Sequence, residues 1–205
     1  AQYELGSMRN FVYLVLDPAT REAAIVDPQR DLRPVDELEA HGYRLTTVLL
    51  THSHHDHVAG LPELLIRFPN LPVRVHAGDV HRLKKVPSER ILPIEDGETI
   101  RIGSVECRAI HSPGHSAGEI CYVVANRYLL TGDTLFIRDC GRTDLDTGND
   151  SEMFATLQKL KELPDTLVVL PGHHYARETA SVLGFEKRYS PPLLCRNVEE
   201  LLNLP

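Results

Sequence analysis

Four histidines and one aspartate crowd into the segment Thr51–His57, which reads Thr-His-Ser-His-His-Asp-His. It directly follows the apolar run Thr47–Leu50, whose β-branched and aliphatic residues are typical of a short buried strand. Imidazole nitrogens and carboxylate oxygens hold borderline divalent metals, and a loop at the end of a strand can aim several of them at one point. The alternative is a polar, solvated loop in a chain with 11 histidines. The spacing His-x-His-x-Asp-His favours a metal site.

Three later loops share one feature, a possible metal ligand that follows an apolar strand and stands beside a glycine. They are Ser112–His115, Thr131–Thr134 and Pro171–Tyr175. Glycine permits the tight turn and the close backbone approach that such a ligand needs. One such loop is weak evidence, because Gly-Asp after a strand is usually a turn. Four such loops in one chain predict a common metal centre.

Hydrophobic patterning predicts the elements that must position these loops. Helices are expected over residues 31–41, 61–68 and 152–163, the last with Ser151 as its N-cap, and a final helix over 198–202. Strands are expected over residues 3–5, 10–17, 22–27, 46–50, 73–76, 98–102, 105–110, 118–124, 127–130 and 166–170. This order suggests two sheets packed face to face, with helices outside and the metal-binding loops along one edge.

Composition narrows the class of protein. A chain of 205 residues with 42% hydrophobic and 25% charged residues predicts a single domain over residues 1–205. A net charge of −7 without a basic block argues against a nucleic-acid groove, and no apolar run reaches the roughly 18 residues of a membrane span. Four widely spaced cysteines without a Cys-x-x-Cys pair, and no secretion signal, predict reduced thiols in a cytoplasmic protein.

In these four loops the chain resembles the metallo-β-lactamase fold superfamily, over nearly its whole length. The resemblance implies an α+β fold, a four-layer αβ/βα sandwich of two mixed β-sheets with helices outside. It implies that His52, His54 and His115 hold one metal, that Asp56, His57 and His173 hold a second, and that Asp133 bridges the two. His55, His111 and His174 match no ligand; His55 and His174 are expected to orient ligands or to lie at the surface.

Two divalent metals roughly 3.5–4 Å apart can share a water, lower its pKa and hold the resulting hydroxide beside a polarised carbonyl. Asp56 would then be a ligand and also the catalytic residue that orients the hydroxide. A thiolate leaving group, whose conjugate acid has a pKa of about 8.5, departs with little help from a general acid. Since no proton donor is evident, the sequence favours a thioester as substrate.

Within the superfamily, Thr131–Phe136 and Pro171–Tyr175 most resemble the glyoxalase II branch, which implies two Zn²⁺ ions per chain and acyl-glutathione thioesters as substrates. Glyoxalase II carries a helical extension that helps to bind glutathione, whereas here only the helix over 198–202 is predicted after His173. Short hydrolases of this kind also resemble the zinc hydrolases of polyketide clusters, whose proposed substrates are acyl groups on an acyl carrier protein. Both carriers stay open at this point.

A second interpretation comes from Cys140–Asp144, which resembles the Cys-Gly-Arg-Thr-Asp stretch of persulfide dioxygenases. That resemblance implies one Fe²⁺ held by His52, His115 and Asp133, and oxidation of glutathione persulfide to sulfite. Two histidines and one carboxylate leave coordination positions open for dioxygen and substrate. The hydrolase is preferred because the ligand set completes two metal sites. A non-catalytic metal-binding protein is the alternative from another class.

Three further residues are candidates near the site. Arg142 is a candidate substrate clamp, because its planar fork suits a carboxylate; the alternative is a salt bridge to Asp139 or Asp144. Tyr175 is expected to line the substrate pocket, with a helix edge as the alternative. Cys140 is expected to be a small buried residue and not a nucleophile, because no basic partner is evident. The oligomeric state stays open.

Overall fold

The computed structural model describes residues 1–204, and two six-stranded sheets form its centre. The first sheet holds its strands in chain order: β1 (Gln2–Leu5), β2 (Asn10–Asp17), β3 (Glu22–Val26), β4 (Arg44–Leu49), β5 (Val73–His76) and β6 (Ile91–Ile94). Strands β1 to β3 pair antiparallel and β3 to β6 pair parallel, so the sheet is mixed. The strands predicted over residues 3–5, 10–17 and 22–27 are all present.

The second half of the chain supplies the remaining strands. They are β7 (Thr99–Ile102), β8 (Val105–His111), β9 (Ile120–Val124), β10 (Tyr128–Gly132), β11 (Leu135–Phe136), β12 (Asp139–Cys140), β13 (Val168–Pro171) and β14 (Ser181–Val182). The second sheet has the order β14-β13-β10-β9-β8-β7, and β11 pairs with β12 separately. Only β10 and β13 pair parallel, so this sheet is mixed as well.

Within residues 1–204, six α-helices lie on the outer faces of the sheets. They are α1 (Arg33–Ala40), α2 (Leu61–Arg67), α3 (Asp150–Lys161), α4 (Leu183–Tyr189), α5 (Pro191–Leu194) and α6 (Val198–Leu202), with 3₁₀ helices at Ala77–Arg82 and Ser88–Arg90. Helices α1 and α2 share one apolar core with the outer face of the first sheet, and α3 to α6 share another with the second. No helix within residues 1–204 has the length and apolar character to cross a bilayer.

Strand β2 shows why the sheets are covered on both faces. Phe11, Tyr13 and Val15 point into the core between the two sheets, whereas Val12 and Leu14 point into the core under α1 and α2. Successive side chains of a strand face opposite sides, and a strand buried on both sides is apolar throughout. The four-layer αβ/βα sandwich predicted from the sequence is thereby confirmed.

Three details of the predicted elements were wrong. Helix α3 begins after Asn149, whose Oδ1 accepts the Glu152 amide at 3.0 Å, so Asn149 is the N-cap and Ser151 lies inside the helix. The helix at 198–202 is also not the only one after His173, because α4 and α5 precede it. Both are short, seven and four residues, and so give too little periodicity to be recognised. The short strands β6, β11, β12 and β14 were missed for the same reason.

The topology collects the ends of several strands at one edge. Strands β8, β10 and β13 run in the same direction, and β3 runs parallel to β4 in the other sheet. Backbone hydrogen bonds join the two sheets there, from Ile120 N to Thr51 O at 2.8 Å and from Phe11 N to Gly172 O at 2.7 Å. The four loops with candidate ligands therefore converge.

Candidate metal centre

The loop Thr51–His57 follows β4 and is held by two buried aspartates from other parts of the chain. Asp27 accepts hydrogen bonds from the Thr51 amide at 2.8 Å and the Thr51 hydroxyl at 2.6 Å. Asp79, in the 3₁₀ helix, accepts the Ser53 amide at 2.6 Å and the Ser53 hydroxyl at 3.0 Å. Because these bonds fix the backbone on both sides of His52, the loop presents its histidines in a defined arrangement.

His52, His54 and His115 form the first donor cluster. Their possible ligand atoms lie within 4.8 Å of one another. The ring centroids are 4.6–5.0 Å apart and the rings meet edge to face. The closest approach joins His54 Nδ1 and His115 Nε2 at 2.8 Å. Three imidazole nitrogens that converge on one point match the ligand set of a divalent transition metal.

Asp56, His57 and His173 form the second donor cluster. His57 Nε2 lies 3.1 Å from His173 Nε2, and Asp56 Oδ2 lies 3.4 Å from the first nitrogen and 3.3 Å from the second. All three side chains are buried. Two imidazoles and one carboxylate are again a donor set that suits a borderline divalent ion.

Asp133 lies between the two clusters. Its Oδ2 is 3.5 Å from His115 Nε2 and 3.3 Å from His173 Nε2, and its Oδ1 is 3.5 Å from His57 Nε2. Asp133 Oδ1 and His52 Nε2 are both buried without a hydrogen-bond partner. Buried polar atoms are rarely left in that state, and a cation beside them would satisfy both. The residues present therefore fit a pair of divalent ions.

Hydrogen bonds behind the clusters set which imidazole nitrogen faces inward. Four histidines bind a protein oxygen through Nδ1: His52 to Thr51 Oγ1 at 3.0 Å, His57 to Asp27 Oδ2 at 3.0 Å, His115 to Arg142 O at 2.7 Å and His173 to Met8 O at 2.9 Å. When Nδ1 carries the proton, the Nε2 lone pair is free for a metal. His54 is the exception, because it turns Nδ1 inward.

The pKa values of four ligand histidines are shifted, in two opposite directions. Burial lowers the pKa of His52 well below its ordinary value, and burial with nearby positive charge lowers the pKa of His54 to about 4, so both are neutral. Burial also acts to lower the pKa of His57 and His173, but Asp133 and the other neighbouring carboxylates outweigh it. They raise the pKa of His57 strongly and that of His173 to about 9. A metal that binds there must displace protons.

Three polar residues that support the second cluster were missed in the sequence. Asn10 Nδ2 donates to Asp56 Oδ2 at 2.8 Å, and Gln29 Nε2 donates to Asp56 O at 2.6 Å. Asp27 binds His57, as described above. Asn10 and Gln29 carry no recognisable signal, because amide side chains are common at strand starts and in turns. Asp27 did carry one, since it is a carboxylate directly after an apolar strand, like the predicted ligands.

Glu119 is a fourth residue missed in the sequence, and it lies directly behind the first cluster. Its Oε1 accepts the Asp133 amide at 2.8 Å and lies 3.6 Å from His52 Nδ1. The side chain is completely buried. Burial, together with the charge of Asp133, raises the pKa of Glu119 well above its ordinary value. Glu119 therefore fixes the backbone of Asp133 from behind the first cluster, while its Oε2 is buried without a hydrogen-bond partner.

The three histidines without a matching role lie outside both clusters. His55 is exposed. His174 Nδ1 contacts Glu4 Oε2 at 2.6 Å. The ring of His111 stacks on the ring of His76, with 4.0 Å between the ring centroids. The structure thus brings together the seven predicted ligands, and His55 approaches one of them, with its Nδ1 3.7 Å from Asp56 Oδ1.

The candidate substrate residues lie beside the centre. The Arg142 guanidinium is exposed and binds Asp144 through two bonds of 2.6 Å, the salt bridge named as the alternative to a clamp. Tyr175 is 54% exposed, and its ring stacks on the ring of His173 with 4.6 Å between the ring centroids. It therefore borders the second cluster. Their roles toward substrate stay predictions. Burial raises the pKa of the Cys140 thiol to about 12, which leaves it protonated and unsuited to act as a nucleophile.

Comparisons with known proteins agree with this geometry. A family model described as the metallo-beta-lactamase superfamily matches residues 8–173. A hydroxyacylglutathione hydrolase from Cereibacter sphaeroides is 36% identical over 188 residues, which are 91% of this chain and 71% of that protein. The crystal structure of ETHE1 from Myxococcus xanthus has a TM-score of 0.87 at 30% identity, and covers 100% of this chain and 91% of its own. The crystal structure of TTHA1623 in a di-iron-bound form has a TM-score of 0.80 at 27% identity. It covers 93% of this chain and 98% of its own. The chain therefore belongs to the metallo-β-lactamase superfamily, as its four loops predicted.

Proposed function

We propose that the protein is a metal-dependent hydrolase that cleaves acyl thioesters at a centre of two Zn²⁺ ions. The observation that carries the proposal is the pair of donor clusters on either side of one carboxylate. The proposed ligands are His52, His54 and His115 for the first ion, Asp56, His57 and His173 for the second, and Asp133 for both. A purely structural metal site needs about four ligands and no second ion, so the arrangement favours catalysis.

When bound, the ions supply an activated water at neutral pH and polarise the thioester carbonyl. The proposed task of Asp56 is to orient that water. Its Oδ2 is held by Asn10 at 2.8 Å, whereas its Oδ1 makes no hydrogen bond to the residues the structure describes. Burial acts to raise the pKa of Asp56, but His173, His57 and Asn10 lower it on balance, so the carboxylate stays ionised. Asp56 Oδ1, with His55 Nδ1 at 3.7 Å, is thus available to accept a hydrogen bond from that water at the second cluster.

The leaving group is the second part of the argument. A thiolate departs at neutral pH without a proton donor, because the pKa of its conjugate acid is about 8.5. An amide nitrogen or an alkoxide requires such a donor. The thiol of Cys140, in the segment beside the first cluster, is held protonated with a pKa of about 12 and is therefore a poor proton donor. Thioesters are therefore the acyl compounds that these side chains suit best.

The test substrate follows from the hydroxyacylglutathione hydrolases among the relatives. We expect the zinc-loaded protein to hydrolyse S-lactoylglutathione, measured by loss of the thioester absorbance. Asp133→Ala should reduce kcat/KM by more than the roughly 10- to 100-fold that follows loss of a residue that merely orients a ligand. His41→Ala, which removes an exposed histidine at the end of α1, is the control and should retain full activity.

Two outcomes would contradict this function. If no acyl thioester is hydrolysed by zinc-loaded protein of verified fold, the hydrolase proposal fails. If Asp133→Ala matches the unaltered chain in every assay, the metal centre is not catalytic, and the non-catalytic metal-binding protein becomes the better account.

A second function is favoured by a separate observation. The segment Cys140–Asp144 runs beside the first cluster, since Arg142 O accepts the His115 Nδ1–H, and the chain is similar to ETHE1 over its full length. We propose as this alternative an iron persulfide dioxygenase, with one Fe²⁺ held by His52, His115 and Asp133. Iron-loaded protein would then consume dioxygen with glutathione persulfide and form sulfite. Absence of oxygen uptake by such a sample would remove this candidate.

A further inference from the structure

A large cavity opens beside the second donor cluster and has no assigned role. Its volume is about 930 Å³, within the range of roughly 300–1,000 Å³ that small-molecule sites occupy. Asp56, one of the proposed ligands, forms part of its wall together with the neighbouring His55, so the cavity reaches the edge of the second cluster. Neither Arg142 nor Tyr175 is among its lining residues. It is thus a different surface from the one that sequence reasoning assigned to substrate.

The cavity carries free positive charge in a protein whose net charge is −7. Arg30, Lys84 and Lys85 line it, and their side chains are exposed. None of the three forms an ion pair with a carboxylate anywhere in residues 1–204. A fourth cation in the wall, Arg82, is already engaged by Asp146 at 3.2 Å. Three uncompensated cations around one concave surface focus a positive potential there.

The acidic side chains of the same wall are both occupied. Asp31 accepts the Arg33 amide at 3.0 Å and pairs with the Arg33 guanidinium at 2.6 Å. Asp56 faces the second cluster, where a bound cation would compensate its charge. The cavity therefore offers unpaired cations to a ligand, whereas its two carboxylates are committed elsewhere, Asp31 to Arg33 and Asp56 to the proposed metal centre.

This imbalance selects the chemical class of ligand. Glutathione carries an ammonium group as well as two carboxylates, and its ammonium would find no acidic partner in this wall. A phosphate or diphosphate carries negative charge only, and Lys and Arg are its usual partners. Apolar side chains also line the cavity, among them Met8, Val58, Leu61 and Leu83, and they suit an uncharged arm that links the phosphate to sulfur.

We propose that this cavity binds the phosphorylated arm of a phosphopantetheine thioester, with Arg30, Lys84 and Lys85 on the phosphate and the sulfur directed toward Asp56. The proposal rests on the proposed hydrolase function and names the thiol carrier that the function leaves open. Coenzyme A and a carrier protein with a phosphopantetheine arm share this chemistry, and the experiment below separates them.

Binding of inert thioethers tests the proposal without turnover. Calorimetry on the zinc-loaded protein compares S-methyl-coenzyme A, S-methyl-phosphopantetheine, S-methylpantetheine and S-methylglutathione. We expect both phosphorylated ligands to bind at least about tenfold more tightly than S-methylpantetheine, since one charge-assisted contact corresponds to about one factor of ten. A rise in salt should reduce this ratio, because exposed charges are screened.

Each cation that is removed should lower this affinity ratio, so Lys84→Gln/Lys85→Gln, which removes two, should lower it more than Arg30→Gln, which removes one. Arg108→Gln is the matched control: Arg108 is exposed, forms no ion pair in the described chain and lies outside the cavity, so the ratio should not change. If S-methyl-coenzyme A binds more tightly than S-methyl-phosphopantetheine, the nucleotide contributes to affinity, which supports coenzyme A as the carrier. Equal binding of the two supports a carrier-protein arm.

Two results would overturn the proposal: S-methylglutathione binding as tightly as the phosphorylated ligands, or an unchanged ratio in Lys84→Gln/Lys85→Gln. Failure of hydrolysis is a separate matter, because these ligands have no cleavable bond. If the phosphorylated thioethers bind as expected but no thioester is cleaved, the hydrolase function fails and the cationic cavity stands.

Discussion

The substitution Asp27→Asn tests whether a buried carboxylate orients the second cluster. Asp27 is 3% exposed and has a φ of +51°, a backbone conformation that Asn also tolerates. The substitution therefore preserves the shape of the side chain and the backbone. It places an amide NH₂ in the position from which Oδ2 accepts the His57 Nδ1–H at 3.0 Å and the Thr51 hydroxyl at 2.6 Å.

The expected magnitude follows from these contacts. The Thr51 hydroxyl can rotate to accept from the new amide, but the His57 Nδ1–H then faces another donor. Loss of a residue that orients a metal-bound histidine typically lowers metal affinity by about 10- to 100-fold. Loss of one buried hydrogen bond to a charged group lowers the free energy of unfolding by about 1.5–3 kcal/mol. Both effects should appear in the same variant.

The assay is a competition of zinc with a chromophoric chelator, combined with urea unfolding of the metal-free chain. Asp17→Asn is the matched control. Asp17 is also a buried aspartate that accepts backbone and side-chain hydrogen bonds, including the Ser104 amide at 2.7 Å, but it lies at the opposite end of β2 from Asn10. The control should lose stability and keep its zinc affinity.

The reasoning would be refuted if Asp27→Asn bound two zinc ions with the affinity of the unaltered protein. It would also be refuted if Asp17→Asn lowered zinc affinity equally, since the effect would then reflect general loss of stability. Only a selective loss in Asp27→Asn supports an orienting role for this carboxylate.

Three further perturbations test other parts of the centre. Gly172→Ala should abolish metal binding, measured as metal content, because a Cβ there would stand 2.3 Å from Asp133 Oδ1. Burial acts to lower the pKa of His173, but hydrogen bonding to Asp133 outweighs burial and raises this pKa from 6.5 to about 9. The metal-free chain should therefore lose stability to urea as the pH rises from about 6.5 to 9. The zinc-loaded chain should not. Arg142→Gln should raise KM for a carboxylate-bearing thioester with little change in kcat or stability, and Asp144→Asn, which frees the guanidinium, should lower KM.

The ligand-bearing loops were predictable because their signal is local. His52, His54, Asp56 and His57 stand within one loop, and each later ligand follows an apolar strand and adjoins a glycine. The layer order was predictable for a similar reason, since strand and helix periodicities differ along the chain. Both features survive in the structure.

The supporting residues were not predictable, because their partners are remote in sequence. Asn10 reaches Asp56 across 46 positions, and Asp27 reaches His57 across 30. Glu119 resembles any acidic residue before a strand until the fold buries it behind Asp133. Such contacts depend on the tertiary arrangement and leave no periodic pattern in the chain. The free charge of the cavity at Arg30 and Lys84 depends on the fold in the same way.

The number of divalent ions bound per chain tests the central claim most directly. Metal-free protein is dialysed to equilibrium against zinc, and the ions retained are counted by mass spectrometry. Asp133 and the six side chains that meet around it predict two zinc ions per chain. One ion, or none, bound by protein of verified fold would contradict the two-metal centre.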